Sequence, residues 1–148
     1  MRYAHTNIVA RDWERLAAFY ERVFGCVPVG PTRDLAGTWL DQATGIPGVR
    51  IRGRHLRLPG HGAGGPTLEI FSYEPATPGG PASLPNRPGL GHLAFAVDDV
   101  DAACAAVVGA GGSLVGRAAS GEVEGAGALR FAYVRDPEGN VIELQRWG

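Results

Sequence analysis

Lysine is absent from this chain, and arginine carries all of its basic side-chain charge. Beside an excess of alanine and glycine this reads as the composition of a GC-biased genome, and no function is attached to it. An excess of charge of one sign is lacking too. The 14 basic and 15 acidic residues leave a formal net charge of −1, so no surface for nucleic acid or membrane is expected. Cysteine is scarce: Cys26 and Cys104 have no metal-ligand spacing, which leaves two free thiols acting as small apolar residues. No segment approaches the roughly 18 apolar residues of a membrane helix, and the start, MRYAHTNIVARDW, has no run of signal-peptide length. The expectation is a cytoplasmic protein.

The chain has 148 residues, 45% of them hydrophobic, enough for a sizeable core if two small modules pack together. One globular unit over residues 1–148 is expected. Its organising stretch is the final hairpin, LRFAYVRDPEGNVIELQRW, in which the turn DPEGN joins two apolar runs and Glu143 sits between Ile142 and Leu144. A carboxylate on an apolar strand needs a reason. The same local pattern occurs earlier in TLEIFSY, where Glu69 lies between Leu68 and Ile70.

Upstream of each glutamate is a matching start. His5 opens HTNIVA and His92 opens HLAFAV, each followed by an acidic capping residue and an amphipathic helix, from Asp12 in one case and from Asp98 or Asp99 in the other. Both halves read βαβββ. The reading is therefore α+β, with module one over about residues 1–74, a Pro-, Gly- and Ser-rich linker over about 75–88, and module two over about 89–148.

Within module one, alternation places His5 and Asn7 on one face of the first strand. A helix stripe of Trp13, Leu16, Ala17, Phe19, Tyr20, Val23 and Phe24 ends at Gly25. Residues 26–30 read as a short strand, and 31–48 as a loop holding one helical turn near Trp39, a candidate lid or pocket wall. The strand VRIRGRHLRL alternates Arg50, Arg52 and Arg54 against Ile51, Gly53 and His55, with its sidedness open. In module two, residues 90–97 read as the strand carrying His92, 100–108 as a short helix, and 120–127 as a flexible connection before the hairpin.

These residues resemble the vicinal oxygen chelate superfamily, which includes glyoxalase I, methylmalonyl-CoA epimerase, extradiol dioxygenases, and bleomycin- and fosfomycin-resistance proteins. The resemblance rests on HTN at residues 5–7, FYERVFG at 19–25, LEI at 68–70, GHLAF at 91–95, and DPEGN followed by IEL at 142–144. It implies two βαβββ modules whose curved mixed sheets enclose a cavity. It implies one divalent metal ion (Ni, Co, Zn, Mn or Fe) held by His5, Glu69, His92 and Glu143, and a homodimer. A substrate with two adjacent oxygens can chelate such an ion while a nearby carboxylate takes a proton, Glu143 first and Glu69 second.

The leading expectation is a glyoxalase-like lyase, isomerase or epimerase on a small oxygen-chelating substrate, with no glutathione or CoA signature in the chain. A non-catalytic protein that sequesters an antibiotic or natural product is the alternative. An Fe(II) extradiol-type dioxygenase using His5, His92 and Glu143 ranks third, because Glu69 would crowd its open positions. Asn7, Trp39, Arg52, Phe71 and Tyr133 are the pocket candidates. The arginines read mainly as one solvated strand face, with contact to a carboxylate, phosphate or CoA group as the other possibility.

Overall fold

A computed structural model of the chain describes residues 1–80 and 84–148. By their contacts these form two compact units, Met1–Gly79 and Gly80–Gly148. The boundary falls inside the expected linker, of which residues 81–83 lie outside the described residues. No helix among the described residues is long and apolar enough to cross a membrane.

The first unit begins with β1 (His5–Val9), α1 (Trp13–Phe24), β2 (Val27–Ala36) and α2 (Thr38–Thr44), and ends with β3 (Arg50–Arg57) and β4 (Thr67–Glu74). Its strands lie in the order β1-β4-β3-β2, with β1 parallel to β4 and the other pairs antiparallel. The sequence signals for α1 hold at both ends: the Asp12 carboxylate accepts from Arg15 N at 3.0 Å, and Gly25 closes the helix at φ 65°. The stripe of α1 buries Leu16, Ala17, Phe19 and Tyr20, and the sheet contributes Leu56, Leu68 and Ile70, all three with no exposed surface. That apolar layer is what holds α1 on the sheet.

Residues 31–48 depart from the loop reading. β2 continues to Ala36, because after Val29 pairs with His55 the strand bulges and resumes with Arg33 opposite Gly53. Pro31 falls in the bulge, where no ladder N–H is required. α2 then turns back and buries Leu40 with Val49, Ile51 and Phe71, while Leu35, Ile46 and Tyr73 pack around them. The segment thus carries the helical turn expected near Trp39, and builds with β3 and β4 a small second core.

The second unit contains β5 (Leu93–Ala96), α3 (Val100–Gly109), β6 (Ser113–Leu114), β7 (Ala119–Val123), β8 (Gly127–Arg135) and β9 (Val141–Trp147). β5 runs parallel to β9, which pairs antiparallel with β8. Here β5 is shorter than expected and His92 precedes it. Asp99, not Asp98, caps α3, accepting from Asp101 N at 2.9 Å and Ala102 N at 3.0 Å. Part of the expected flexible connection at 120–127 is instead β7, held by an antiparallel ladder to β8. β6 and β7 both pair with β8, so the outer strand is interrupted here as β2 is by its bulge. The core of this unit, Phe95, Val100, Val107, Ala132, Val134, Ile142 and Leu144, lies between α3 and the sheet. Two sheets with helices on them, built of mixed parallel and antiparallel strands, make the α+β pattern of two βαβββ modules.

The turn expected at DPEGN is present and tightly bonded. Asp136 is 3% exposed, and its Oδ1 accepts from Glu138 N at 2.9 Å and Asn140 N at 3.0 Å while Oδ2 accepts from Asn140 Nδ2 at 2.8 Å. Gly139 supplies the positive φ of the turn, 94°. This turn sets the β8–β9 register that puts Tyr133 opposite Glu143.

Candidate functional site

In the first unit, strand alternation and register assemble one polar face. The β1–β4 ladder pairs Asn7 with Glu69, and the β3–β4 ladder pairs His55 with Glu69. Side chains that are direct or diagonal neighbours on one face of a sheet meet. His5 Nε2 lies 3.4 Å from Glu69 Oε2, Asn7 Nδ2 donates to the same oxygen at 3.4 Å, and His55 Nε2 lies 3.2 Å from Glu69 Oε1. The Glu69 side chain is 14% exposed and that of His5 45%. A carboxylate so far removed from water needs several partners, and it has three.

The second unit repeats the arrangement with fewer partners. Ala94 pairs with Glu143 where the first unit pairs Asn7 with Glu69, and Tyr133 faces Glu143 where His55 faces Glu69. His92 Nε2 lies 2.9 Å from Glu143 Oε2, the glutamate being 15% exposed. The His92 ring stands 5.2 Å from the Tyr133 ring. Burial, and then the nearby Glu143 charge, push the Tyr133 hydroxyl above its usual pKa, which keeps it neutral beside the carboxylate.

The structure thus brings His5 to Glu69 and His92 to Glu143, each within its own unit. Among the described residues no group of three or more His, Cys, Asp or Glu side chains is gathered as a metal site. The separations within the pairs nonetheless suit neighbouring ligands: two donors about 2.0–2.2 Å from one ion and at right angles are about 3 Å apart. Imidazole nitrogen with carboxylate oxygen is also the donor chemistry of a divalent transition metal.

The other sequence candidates fall in different places. Asn7 and Tyr133 lie on the pair-bearing faces. Phe71 is on the Glu69 face but is 6% exposed within the α2 core, its ring centre 5.7 Å from that of His55 in a T-shaped contact. Trp39 is 58% exposed on α2. Arg52 is on the opposite face of β3 from His55 and is paired with Glu74 at 3.0 Å and Asp34 at 3.6 Å. Its neighbours are engaged in the same way. Arg50 forms two hydrogen bonds with Asp34, at 2.7 and 2.6 Å, and Arg54 reaches Glu21 at 3.1 Å and lies over the Trp13 ring. A row of arginines is here a row of ion pairs, exposed at Arg50 and Arg52 and part-buried at Arg54, of small energy where exposed.

His55 is the residue that sequence reading undervalued. Its place follows from a register visible only in the structure: Leu58 N bonds to Pro66 O across the β3–β4 loop, and counting back from that closure places His55 opposite Glu69. Gly53 makes the adjoining space, since a Cβ there would sit 2.0 Å from Ile70 O and 2.4 Å from Phe71 Cδ1.

Comparison with known proteins agrees with this architecture. A family model for the Glyoxalase/Bleomycin resistance protein/Dioxygenase superfamily matches residues 2–144. A “Probable lactoylglutathione lyase” of Vibrio parahaemolyticus is 46% identical over 55 residues, a stretch that spans 37% of this chain and 38% of that protein. The uncharacterized protein YaeR of Escherichia coli is 29% identical over 141 residues, covering 95% of this chain and 92% of YaeR. Among solved structures, a glyoxalase family protein from Bacillus cereus is similar with a TM-score of 0.77 at 22% identity, covering 100% of this chain and 94% of its own. A mutant of the fosfomycin resistance protein FosX from Listeria monocytogenes, in complex with Mn(II) and 1S,2S-dihydroxypropylphosphonic acid, is similar with a TM-score of 0.56 at 15% identity, covering 99% and 93% of the two chains. With the family model spanning nearly its full length over two βαβββ modules, the chain belongs to the Glyoxalase/Bleomycin resistance protein/Dioxygenase superfamily.

Proposed function

We propose that this chain is a divalent-metal-dependent enzyme of the glyoxalase type, a lyase, isomerase or epimerase that moves a proton on a small substrate with two adjacent oxygens. One observation carries the reading: a His–Glu pair with a sequestered carboxylate occurs at equivalent register in both units. A carboxylate merely solvating a strand face has no reason to recur with the same partner type. Superfamily members commonly use a divalent metal, and the partial matches to lactoylglutathione lyases favour the glyoxalase-type chemistry.

In this proposal His5, Glu69, His92 and Glu143 supply the ligands, one ion per chain, and the protein works as a homodimer. The ion supplies stabilisation of the negative charge that develops on a substrate oxygen. Glu69, held on both oxygens, serves as a fixed donor. Glu143, whose carboxylate lies 2.9 Å from His92 Nε2, takes the proton from the substrate carbon and returns it at a neighbouring position. Tyr133, neutral beside Glu143, adds an aromatic wall and a hydroxyl to orient the substrate.

The test is the metal content of the untagged protein and of Glu143→Gln, by elemental mass spectrometry, with a substrate screen on the loaded protein. About one ion per chain, sharply reduced in the variant, with turnover of a dicarbonyl adduct or epimerisable acyl compound, is the expected result. No ion after incubation with Ni, Co, Zn, Mn and Fe(II) overturns the enzyme reading in favour of a ligand-sequestering protein. Oxygen consumption with a catechol would move it to ring cleavage.

A further inference from the structure

We infer that His55 is a positioning residue for Glu69, holding one carboxylate oxygen so that the other is presented toward His5 and Asn7; the inference rests on the metal-ligand role proposed for Glu69. The two oxygens are divided between partners. Oε1 is 3.2 Å from His55 Nε2, and Oε2 faces His5 Nε2 and Asn7 Nδ2, each at 3.4 Å. A carboxylate gripped on one oxygen by a ring from the adjacent strand cannot rotate freely about its last torsion, so the free lone pairs of Oε2 keep one direction.

His55 is itself oriented from two sides. Its Nδ1 lies 3.3 Å from Thr67 Oγ1, whose hydroxyl can donate to it, leaving the proton on Nε2, the nitrogen 3.2 Å from Glu69 Oε1. Its ring makes a T-shaped contact with Phe71, which lies over the gap left by Gly53. The line of support runs Gly53, Phe71, His55, Glu69. A hydrogen-bonded partner behind a ligand is the usual means of fixing its direction and raising its affinity.

Among its described residues the second unit lacks this device. Tyr133 occupies the equivalent place opposite Glu143, but its ring lies against His92. One glutamate is therefore clamped by an imidazole on the next strand and the other is not. That asymmetry separates a fixed ligand from a carboxylate free to carry a proton.

The experiment has two arms. In the first, Co(II) alone is titrated calorimetrically into metal-free wild type, His55→Ala and His55→Gln, with denaturant unfolding of each to show that it is folded. His55→Ala is expected to bind about 10–100-fold more weakly, and His55→Gln, whose side-chain amide can still donate to Oε1, to recover most of the loss. In the second, long-range proton–nitrogen NMR of the metal-free protein reads the His55 tautomer, which is expected to carry its proton on Nε2 and to respond to Glu69→Gln and Thr67→Val. Unchanged Co(II) affinity in folded His55→Ala overturns the inference and leaves the metal reading standing. Failure of wild type to bind Co(II) overturns the metal reading instead, and the spectra then decide whether His55 holds Glu69. A proton on Nδ1, or no response to Glu69→Gln, overturns it directly.

Discussion

His92 Nε2 lies 2.9 Å from Glu143 Oε2, although His92 belongs to the segment that leads into β5 and not to the strand itself. The parallel β5–β9 ladder, with Ala94 opposite Glu143, brings the segment alongside. Under the proposed function this pair divides its work: His92 binds and Glu143 binds and moves a proton. Glu143→Gln is accordingly expected to lower kcat on the identified substrate by about 10²–10⁴-fold even with metal in excess. Restored turnover at saturating metal would assign Glu143 to binding alone.

Gly53 is placed where no side chain fits. A Cβ would meet the Ile70 carbonyl oxygen at 2.0 Å and Phe71 Cα at 2.8 Å, and neither backbone atom can move without disturbing β4. Gly53→Ala should cost about 2–4 kcal/mol of stability, read as a lowered urea midpoint. A midpoint within error of wild type would show that β3 and β4 can separate there at little cost.

The Asp136 carboxylate accepts three hydrogen bonds from the turn it opens. Asp136→Ala strands those donors and should destabilise by about 2–4 kcal/mol, with Asp136→Asn retaining part of the loss. Because the turn sets the register of β8 and β9, amide exchange should accelerate at Tyr133 and Glu143 in the alanine variant.

Cys26 is 3% exposed, and burial, followed by the charge of Glu21, pushes its thiol up to about 11 from 9.0. Its raised folded-state pKa means that its contribution to stability is fully present below pH 9.0 and is lost as pH rises through about 11. Native protein at pH 8 should therefore leave Cys26 unlabelled by a thiol-disulfide reagent until denaturant is added, with peptide mapping as the readout. Rapid labelling in the native state would contradict the packing around α1.

Leu40 anchors α2 on Val49, Ile51 and Phe71. Leu40→Ala should cost about 2–4 kcal/mol and raise amide exchange in α2 and the outer part of β2 before the rest of the unit. Equal protection throughout would mean that the insertion is not a separate cooperative piece.

Much of this protein was determined by sequence alone. Period-two alternation set which residues share a strand face, Asp12 and Gly25 marked the ends of α1, DPEGN announced the last hairpin, and the repeated His and Glu pointed to the superfamily. These signals are local, or recur at matching places, so no knowledge of partners was needed. Tertiary structure decided the rest. Alternation separates two faces of β3 but does not say which one turns toward α1, so only packing put Arg52 among acidic neighbours and His55 against Glu69. Phe71 and Leu40 became core because α2 folds back on β3 and β4, and β2 ran on past Pro31 because β3 offered a ladder to resume. Register and packing depend on segments that meet only after folding, and those contacts are where His55 acquired its place beside Glu69.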